Sequence, residues 1–568
     1  MSEIFKKVNN DVSIVISGEA GQGIQTIEFF LTRVLKLSGY NVFATKEYMS
    51  RIRGGSNSTQ IRVSSNRVKA FLNRIDILIP LNKSALTHLK KRIGRDTLIL
   101  GEKRKLGSEY NIYDIPISRV AIELGNKIYE NMLALGVICK IFKVEADLIH
   151  DYLKRFFAKK GAEIIEKNFQ AVKIGYQYAN KLFSEREIEL QKNQEVRDEI
   201  LMSGAEAVAL GAIAGGCDFI SAYPMSPSTP VWVYLSQHSH IFDIISEQAE
   251  DEISAINMAL GAWYAGARAL VSTSGGGFAL MAEGVSLAGM LESPLVIHLA
   301  QRPGPATGLP TRTEQADLNL ALYAGHGEFP RIILAPGTLE DAFYLTQMAF
   351  NLADKYQVPV FLLTDQFLID SFYNIPRLDL SSLRSQRYIA KTDSNYSRYI
   401  ITEDGVSPRG IPGFGDGLVI VDSDEHDQNG HITEDLELRE RMVDKRLRKY
   451  QLIQKEIIPP ELIGENDYRF LVIGWGSTYN PIKEALNSLN RKDIALLYFK
   501  QVYPIHESVV DYLSRSEKVI FVENNAGSQF GRLVQLHTGF NASNTILSYS
   551  GLPFAVEDIA VKIKKLLD

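Results

Sequence analysis

Short β-branched runs that end in glycine turns and open apolar-periodic helices recur from one end of the chain to the other. Residues 11–17 (DVSIVIS) lead through Gly18-Glu19-Ala20-Gly21-Gln22-Gly23 into an apolar-periodic stretch reaching about Leu37, which reads as strand, glycine turn and helix. Further strands are expected at Asn41–Ala44 and Ile75–Leu81. The pattern resumes with helix Gly204–Gly215 and strands Asp218–Ala222, Arg268–Thr273, Pro294–Ala300, Arg331–Leu334 and Val358–Leu363. It returns near the end in strands Phe470–Ile473, Ile494–Tyr498 and Lys518–Val522. Strands alternating with helices predict a doubly wound, parallel α/β architecture, because each parallel step needs a crossover across the sheet face. At roughly 150 residues per domain, 568 residues allow three to four such units.

Composition shifts mark the boundaries. A charged, helical stretch from about 164 to 200 carries Ser184-Glu185-Arg186-Glu187, which reads as a linker, and places a boundary near 190. From about 374 to 464 the alternation degrades into polar, Pro/Gly-bearing segments and one strongly charged helix near 434–456, an extended connection with an arm. The expected domains are therefore 1–190, 191–464 with the arm from about 374, and 465–568.

Charge and cysteine content exclude several functions. The formal charge is −5, with 45% hydrophobic and 23% charged residues, so neither a disordered chain nor a whole-protein nucleic-acid binder is expected. The first 190 residues hold 31 basic and 20 acidic residues, an excess that suits an acidic partner or a phosphorylated ligand, or simply a solvated basic face. Two cysteines, Cys139 and Cys217, cannot build a disulfide framework, a Cys-rich zinc site or an all-cysteine iron–sulfur cluster. No metal site is assigned. The segment Met1–Lys7 lacks the apolar run of a signal peptide, and the longest uncharged stretches are too short and too rich in Gly and Ser to span a bilayer. A cytoplasmic protein, not bound to membrane, is expected.

Several glycine clusters invite a ligand. Gly18, Gly21 and Gly23 open a helix after a strand, which lets backbone N–H groups approach a phosphate. The spacing is not that of a dinucleotide fold, and a tight turn with no ligand remains open. Arg51 and Arg53, beside Gly54 and Gly55, could capture a carboxylate or phosphate, or hold an interface by ion pairs. Gly415-Asp416-Gly417 followed by Asn429 imitates a magnesium-diphosphate motif, but the gap is too short to place the two ligands on successive strand-to-helix turns, and it is rejected. His298 reads as a satisfied core residue, and His326, His426 and His431 lack metal-like spacing.

Three segments of the middle domain lie at or near the carboxyl ends of expected strands, where open α/β sheets bind ligands. They are Ser221–Pro230, whose three prolines stiffen a hydroxyl-bearing loop; Glu252–Ala262, a small-residue helix opening on a carboxylate; and Gln301–Thr313, which carries Arg302. Here the chain resembles the fused gamma–alpha subunit of 2-oxoacid:ferredoxin oxidoreductases, nearest the 2-oxoglutarate or broad-specificity branch. The likeness extends to Gly325–Pro330, Glu425-His426-Asp427, Gly430–Thr433, Asn131–Gly136 and Glu523-Asn524-Asn525, and so spans essentially the full length.

That resemblance implies a gamma domain, a pyrimidine-binding domain and a transketolase-C-terminal-like domain. It implies a shared thiamine diphosphate site, with magnesium and a [4Fe–4S] cluster on a separate beta subunit, coenzyme A as co-substrate and ferredoxin as electron acceptor. The assembly would be a heterodimer or heterotetramer. Glu252 matches the glutamate that hydrogen-bonds the cofactor's pyrimidine ring, with Glu247 and Glu250 as rivals, and Tyr223 and Pro224 belong to the loop beside the cofactor. Arg302 would hold the substrate carboxylate, while Ser226 and Thr311 add hydroxyl hydrogen bonds. Met225-Ser226 departs from the usual Ile-Thr of the family loop, which leaves the substrate open between 2-oxoglutarate, the first choice, and pyruvate or a broad range. The implied reaction is decarboxylation of a 2-oxoacid to an acyl-CoA. The competing reading is a Rossmann-type oxidoreductase that holds a dinucleotide at Gly18, Gly21 and Gly23.

Overall fold

Runs of three to nine residues, most of them apolar and bounded by glycine and polar turns, form the strands of three mixed sheets in the computed structural model of the chain, which describes residues 10–19, 21–49, 55–183 and 188–568. The linker Ser184–Glu187 and the pair Arg51 and Arg53 lie outside those residues. By contacts the chain divides into two compact units. One takes residues up to Met202 with Asp370–Leu378 and Ala555–Glu557, and the other takes the rest.

The first unit holds an eight-stranded sheet in the order Ile112–Asp114, Leu98–Gly101, Ile77–Pro80, Asp11–Glu19, Ser56–Ser64, Asn41–Glu47, Phe372–Ile375 and Ile200–Ser203. Asp11–Glu19 is parallel to Ile77–Pro80 but antiparallel to Ser56–Ser64, which is also antiparallel to Asn41–Glu47. The expectation of a purely parallel sheet therefore fails here. The few residues between Glu47 and Ser56 cannot make the crossover of a dozen or more that a parallel step requires. Beside this sheet lies a helix buried on every side, Glu130–Ile141. It crosses the long helix Ala162–Phe183 so closely that a Cβ on Gly136 would stand 2.1 Å from the Val172 carbonyl, and one on Gly175 2.1 Å from that of Leu133.

The second unit holds two sheets. The larger runs Gln501–Tyr503, Ile332–Leu334, Pro359–Asp365, Leu295–Gln301, Ala269–Thr273, Phe219–Ala222 and Ile245–Gln248. Every neighbour is parallel except Gln501–Tyr503, which returns from far along the chain to pair antiparallel with Ile332–Leu334. The smaller sheet runs Glu461–Ile463, Ile494–Phe499, Phe470–Trp475, Lys518–Glu523 and Thr545–Leu547, parallel but for its first strand.

The connection between Asp379 and Asp435 contains no helix or strand and is held by polar contacts. Gly415 and Gly417 serve close approach: a Cβ there would lie 2.0 Å from the Thr392 carbonyl and 2.2 Å from that of Asp393. The arm helix Leu436–Gln454 buries Lys445 and Lys449, each 2.6 Å from the carboxylate of buried Glu292. A second buried cluster joins Asp354 to Arg268 at 3.0 Å and Arg409 at 2.6 Å. Among the described residues no helix is long and apolar enough to cross a membrane.

Candidate active site

Phe219–Ala222, Ala269–Thr273 and Leu295–Gln301 are consecutive strands, so the segments that follow them open at one edge of the sheet. Ser221 ties the first strand to the neighbouring helix by donating its hydroxyl to the Ala255 carbonyl at 2.6 Å. That helix, Glu252–Tyr264, is capped by the side chain of Asp251, which accepts from the Ser254 amide at 2.7 Å. With the cap supplied by its neighbour, Glu252 turns inward. It is 4% exposed, with Oε1 buried and unpartnered, whereas Glu247 and Glu250 are exposed. The glycines of Gly275–Gly277 make room for it: a Cβ on Gly277 would stand 2.5 Å from Glu252 Oε1 and 2.4 Å from Thr273 Oγ1.

Arg302 meets the proline loop. Its Nη1 donates to the Ser226 carbonyl at 2.6 Å, and its Nε is buried with no partner. The contact to Arg302 comes from the Ser226 backbone, while the serine side chain, expected to reach the substrate, is exposed along with Tyr223 and Pro224. Burial lowers the guanidinium pKa, and among the described residues no carboxylate comes within ion-pair distance of it. A buried, unpaired guanidinium costs free energy unless an anion arrives. Thr311 sits half-buried on the turn closed by the Arg312 amide and the Leu309 carbonyl.

The loop after Arg302 is pinned at both ends. Gln301 accepts from the Asp317 amide at 3.0 Å and donates to the Thr364 carbonyl at 3.1 Å. Gln315, fully buried, spends all its polar groups on the last module. Its amide donates to Asn524 O and its side chain to Trp475 O, while its oxygens accept from the Asn524 amide and the Asn525 side chain. Asp365, buried and pushed up to about 6 by burial against the hydrogen bond from Ser477, sits beside this loop. His298 is fully buried between Ser272 Oγ and Thr364 Oγ1, both at 2.8 Å, and burial drives it down to about 3, so it stays neutral.

Gly18, Gly21 and Gly23 belong to the other compact unit. Two of them make room for the chain's own side chains. A Cβ on Gly18 would meet Gln22 Oε1 at 2.4 Å and one on Gly23 the Asn131 amide nitrogen at 2.0 Å, while Gly21 faces open space. Sequence reasoning passed over Asp317 and Gln315, and it assigned no role to Ser274 or to Gln301, the start of its third segment. Their signal is a run of polar residues too close to a strand end to be solvated, and it is visible only once the pairing of strands is known. No group of His, Cys, Asp and Glu suited to a metal occurs among the described residues.

Known proteins resemble the chain along most of its length. Residues 210–445 match the family profile described as pyruvate flavodoxin/ferredoxin oxidoreductase, thiamine diphosphate-binding, and residues 13–178 match pyruvate ferredoxin/flavodoxin oxidoreductase. The chain is 32% identical to the 2-oxoacid:ferredoxin oxidoreductase subunit alpha of a Sulfolobus species, over 98% of this chain and 97% of that one. It is 28% identical to the 2-oxoglutarate oxidoreductase subunit KorA of Mycobacterium tuberculosis, over 98% and 92%. Among solved structures, the 2-oxoglutarate:ferredoxin oxidoreductase from Magnetococcus marinus, with 2-oxoglutarate, coenzyme A and succinyl-CoA bound, superposes with a TM-score of 0.92. The identity is 32%, over 99% of this chain and all of the other.

Proposed function

The chain belongs to the 2-oxoacid:ferredoxin oxidoreductase alpha-subunit family, and from that premise we propose that the sheet edge carrying Ser226, Glu252 and Arg302 holds a 2-oxoacid, by preference 2-oxoglutarate, for decarboxylation. The reaction is the coenzyme A-dependent oxidative decarboxylation of a 2-oxoacid to an acyl-CoA and carbon dioxide, with the electrons passed to ferredoxin. The observation that carries the assignment is Arg302. It is 9% exposed, anchored by one nitrogen to the Ser226 carbonyl and unpaired with any carboxylate among the described residues. A guanidinium so placed suits a substrate carboxylate, which it can grip with two parallel hydrogen bonds.

Thiamine diphosphate, when bound, supplies the carbanion-stabilising chemistry. The residues fit it: Glu252 offers a buried, unpartnered oxygen beside a glycine run that leaves space. Glu252 holds or accepts a proton there as a general acid–base group. Tyr223, Pro224 and Ser226 wall the mouth, and Thr311 contributes a hydroxyl from the same loop as Arg302. A [4Fe–4S] cluster is assigned to the partner beta subunit, because Cys139 and Cys217 are both buried with their thiols pushed up by that burial and two thiolates cannot hold a cluster; magnesium is assigned there on the family resemblance. We read 1–190 as the gamma domain, 191–464 as the pyrimidine-binding domain and 465–568 as the transketolase-C-terminal-like domain. The dinucleotide reading loses its main support, since Gly18 and Gly23 accommodate Gln22 and Asn131.

The test is co-expression with the beta subunit and anaerobic viologen reduction in the presence of coenzyme A and thiamine diphosphate, comparing 2-oxoglutarate, pyruvate and 2-oxobutyrate. Coenzyme A-dependent reduction, fastest with 2-oxoglutarate and lost on removing the partner, is expected. Turnover by the chain alone, or a clear preference for pyruvate, overturns the assignment.

A further inference from the structure

Asp317 occupies the N-cap position of the helix Leu318–Tyr323, yet its side chain makes no capping hydrogen bond. An aspartate in that position normally accepts from an amide of the first turn. Instead the carboxyl turns onto the glycine turn after Ala269–Thr273. A Cβ on Gly275 would stand 2.5 Å from its Oδ2 and 2.6 Å from its Oδ1, so only glycine tolerates the carboxyl there. Oδ2 is shielded from solvent and has no partner, as has the hydroxyl of buried Ser274 beside it.

The backbone of Asp317 is not free to relax. Its amide is held by Gln301, which is itself fixed to Thr364, and Gln301 is the residue before Arg302. One buried side chain thereby places the arginine and the aspartate at the same mouth. The two opposite charges influence each other without approaching to ion-pair distance, so each keeps an unsatisfied side.

We propose that Asp317 is a substrate-positioning residue that meters the pull of Arg302 on the carboxylates of the incoming 2-oxoacid. This rests on the reading that Arg302 holds the substrate. The charged groups around Asp317 are Arg302 and Glu314 on its own loop, with Glu252 two residues further along the glycine run; Gly275 brings no charge. Burial, helped by Glu314 and opposed by Arg302, raises Asp317 to about 7. Below that pH the carboxyl is neutral and Arg302 acts on the substrate with its full charge. Above it the carboxylate repels anions and competes for the arginine. A substrate with two carboxylates feels the change more than one with a single carboxylate.

The experiment uses the assembled complex and measures KM and kcat for 2-oxoglutarate and pyruvate between about pH 6 and 8, with calorimetric binding of 2-oxoglutarate in the absence of coenzyme A as a second readout. In the unmodified complex KM for 2-oxoglutarate rises about tenfold across that range, the order by which the neutral form of a carboxyl raised to about 7 is depleted between pH 6 and 8, and the rise for pyruvate is smaller. Asp317→Asn flattens the KM profile at its low value while keeping most of kcat, and Asp317→Glu restores the slope. An Asp317→Asn complex that keeps the full pH-dependent rise, in KM and in binding, overturns the proposal. Arg302→Gln separates the two readings. If it leaves KM unchanged at every pH, the substrate assignment itself fails; if it raises KM while Asp317→Asn keeps its slope, only the role of Asp317 falls.

Discussion

Replacing Glu292 by glutamine would strand two positive charges inside the protein. Glu292 is 1% exposed, and its two carboxylate oxygens are 2.6 Å from Lys445 Nζ and 2.6 Å from Lys449 Nζ, both lysines being equally buried. Burial raises the carboxyl, but Lys449 and Lys445 together hold it well below the usual carboxylate range. Its stabilising charge is therefore present at neutral pH and is lost only as the pH falls far into acid. Breaking a buried pair from one side costs about 3–5 kcal/mol. Burial already draws Lys445 down to about 8. Without the carboxylate it sheds its proton at neutral pH, which keeps the loss near the lower end of that range. At about 2 °C per kcal/mol for a large domain, Glu292→Gln lowers the melting temperature of the full chain by roughly 5–10 °C, read by scanning calorimetry at a fixed rate and pH 7. The deficit shrinks between pH 7 and 8, because the unfolded variant binds more protons than the folded one across that interval. Adding Lys445→Met recovers part of the loss. A single variant melting within about 1 °C of the parent, or a deficit that grows as the pH rises, refutes the reasoning.

Gly277→Ala drives a methyl group to 2.5 Å from Glu252 Oε1 and 2.4 Å from Thr273 Oγ1. It raises the Kd of the assembled complex for thiamine diphosphate by about tenfold, equivalent to about 1.4 kcal/mol, with melting little changed; unchanged affinity in a titration would count against the placement of Glu252. Gly136→Ala sets a Cβ against the Val172 carbonyl, a backbone atom that cannot swing aside. The helices must part at a cost of about 1–3 kcal/mol or more, visible as a lower unfolding midpoint of the first unit in denaturant.

Much of the architecture is legible in the sequence because interior strands are apolar on both faces. Phe219–Ala222, Ala269–Thr273, Leu295–Gln301 and Pro359–Asp365 lie within a residue or two of the apolar runs that announce them. Ile245–Gln248 escapes notice because it is an edge strand, exposed along most of its length and carrying Glu247 and Gln248. The antiparallel insertion of Ser56–Ser64 is a matter of connection length, which periodicity does not register. At the site, Arg302 and Glu252 can be located because each stands in a distinctive local segment. Asp317 cannot, since what singles it out is a glycine opening the helix after a distant strand and a glutamine sixteen residues earlier. Ser226 shows a different limit. Its position in the loop is readable, but whether the hydroxyl or the carbonyl faces Arg302 depends on a backbone turn that sequence pattern does not specify.

The strand Gln501–Tyr503 has a consequence for how the chain is made. It closes the open edge of the larger sheet at Ile332–Leu334 although it is synthesised only after the whole charged arm. Until those residues leave the ribosome, Ile332–Leu334 presents a bare row of amides and carbonyls, the kind of edge that recruits strands from other chains. Contacts this distant in sequence form slowly. A nascent chain halted within the charged arm would thus be a substrate for chaperones, and a gene split at that point would yield two products that need each other's presence to stay in solution.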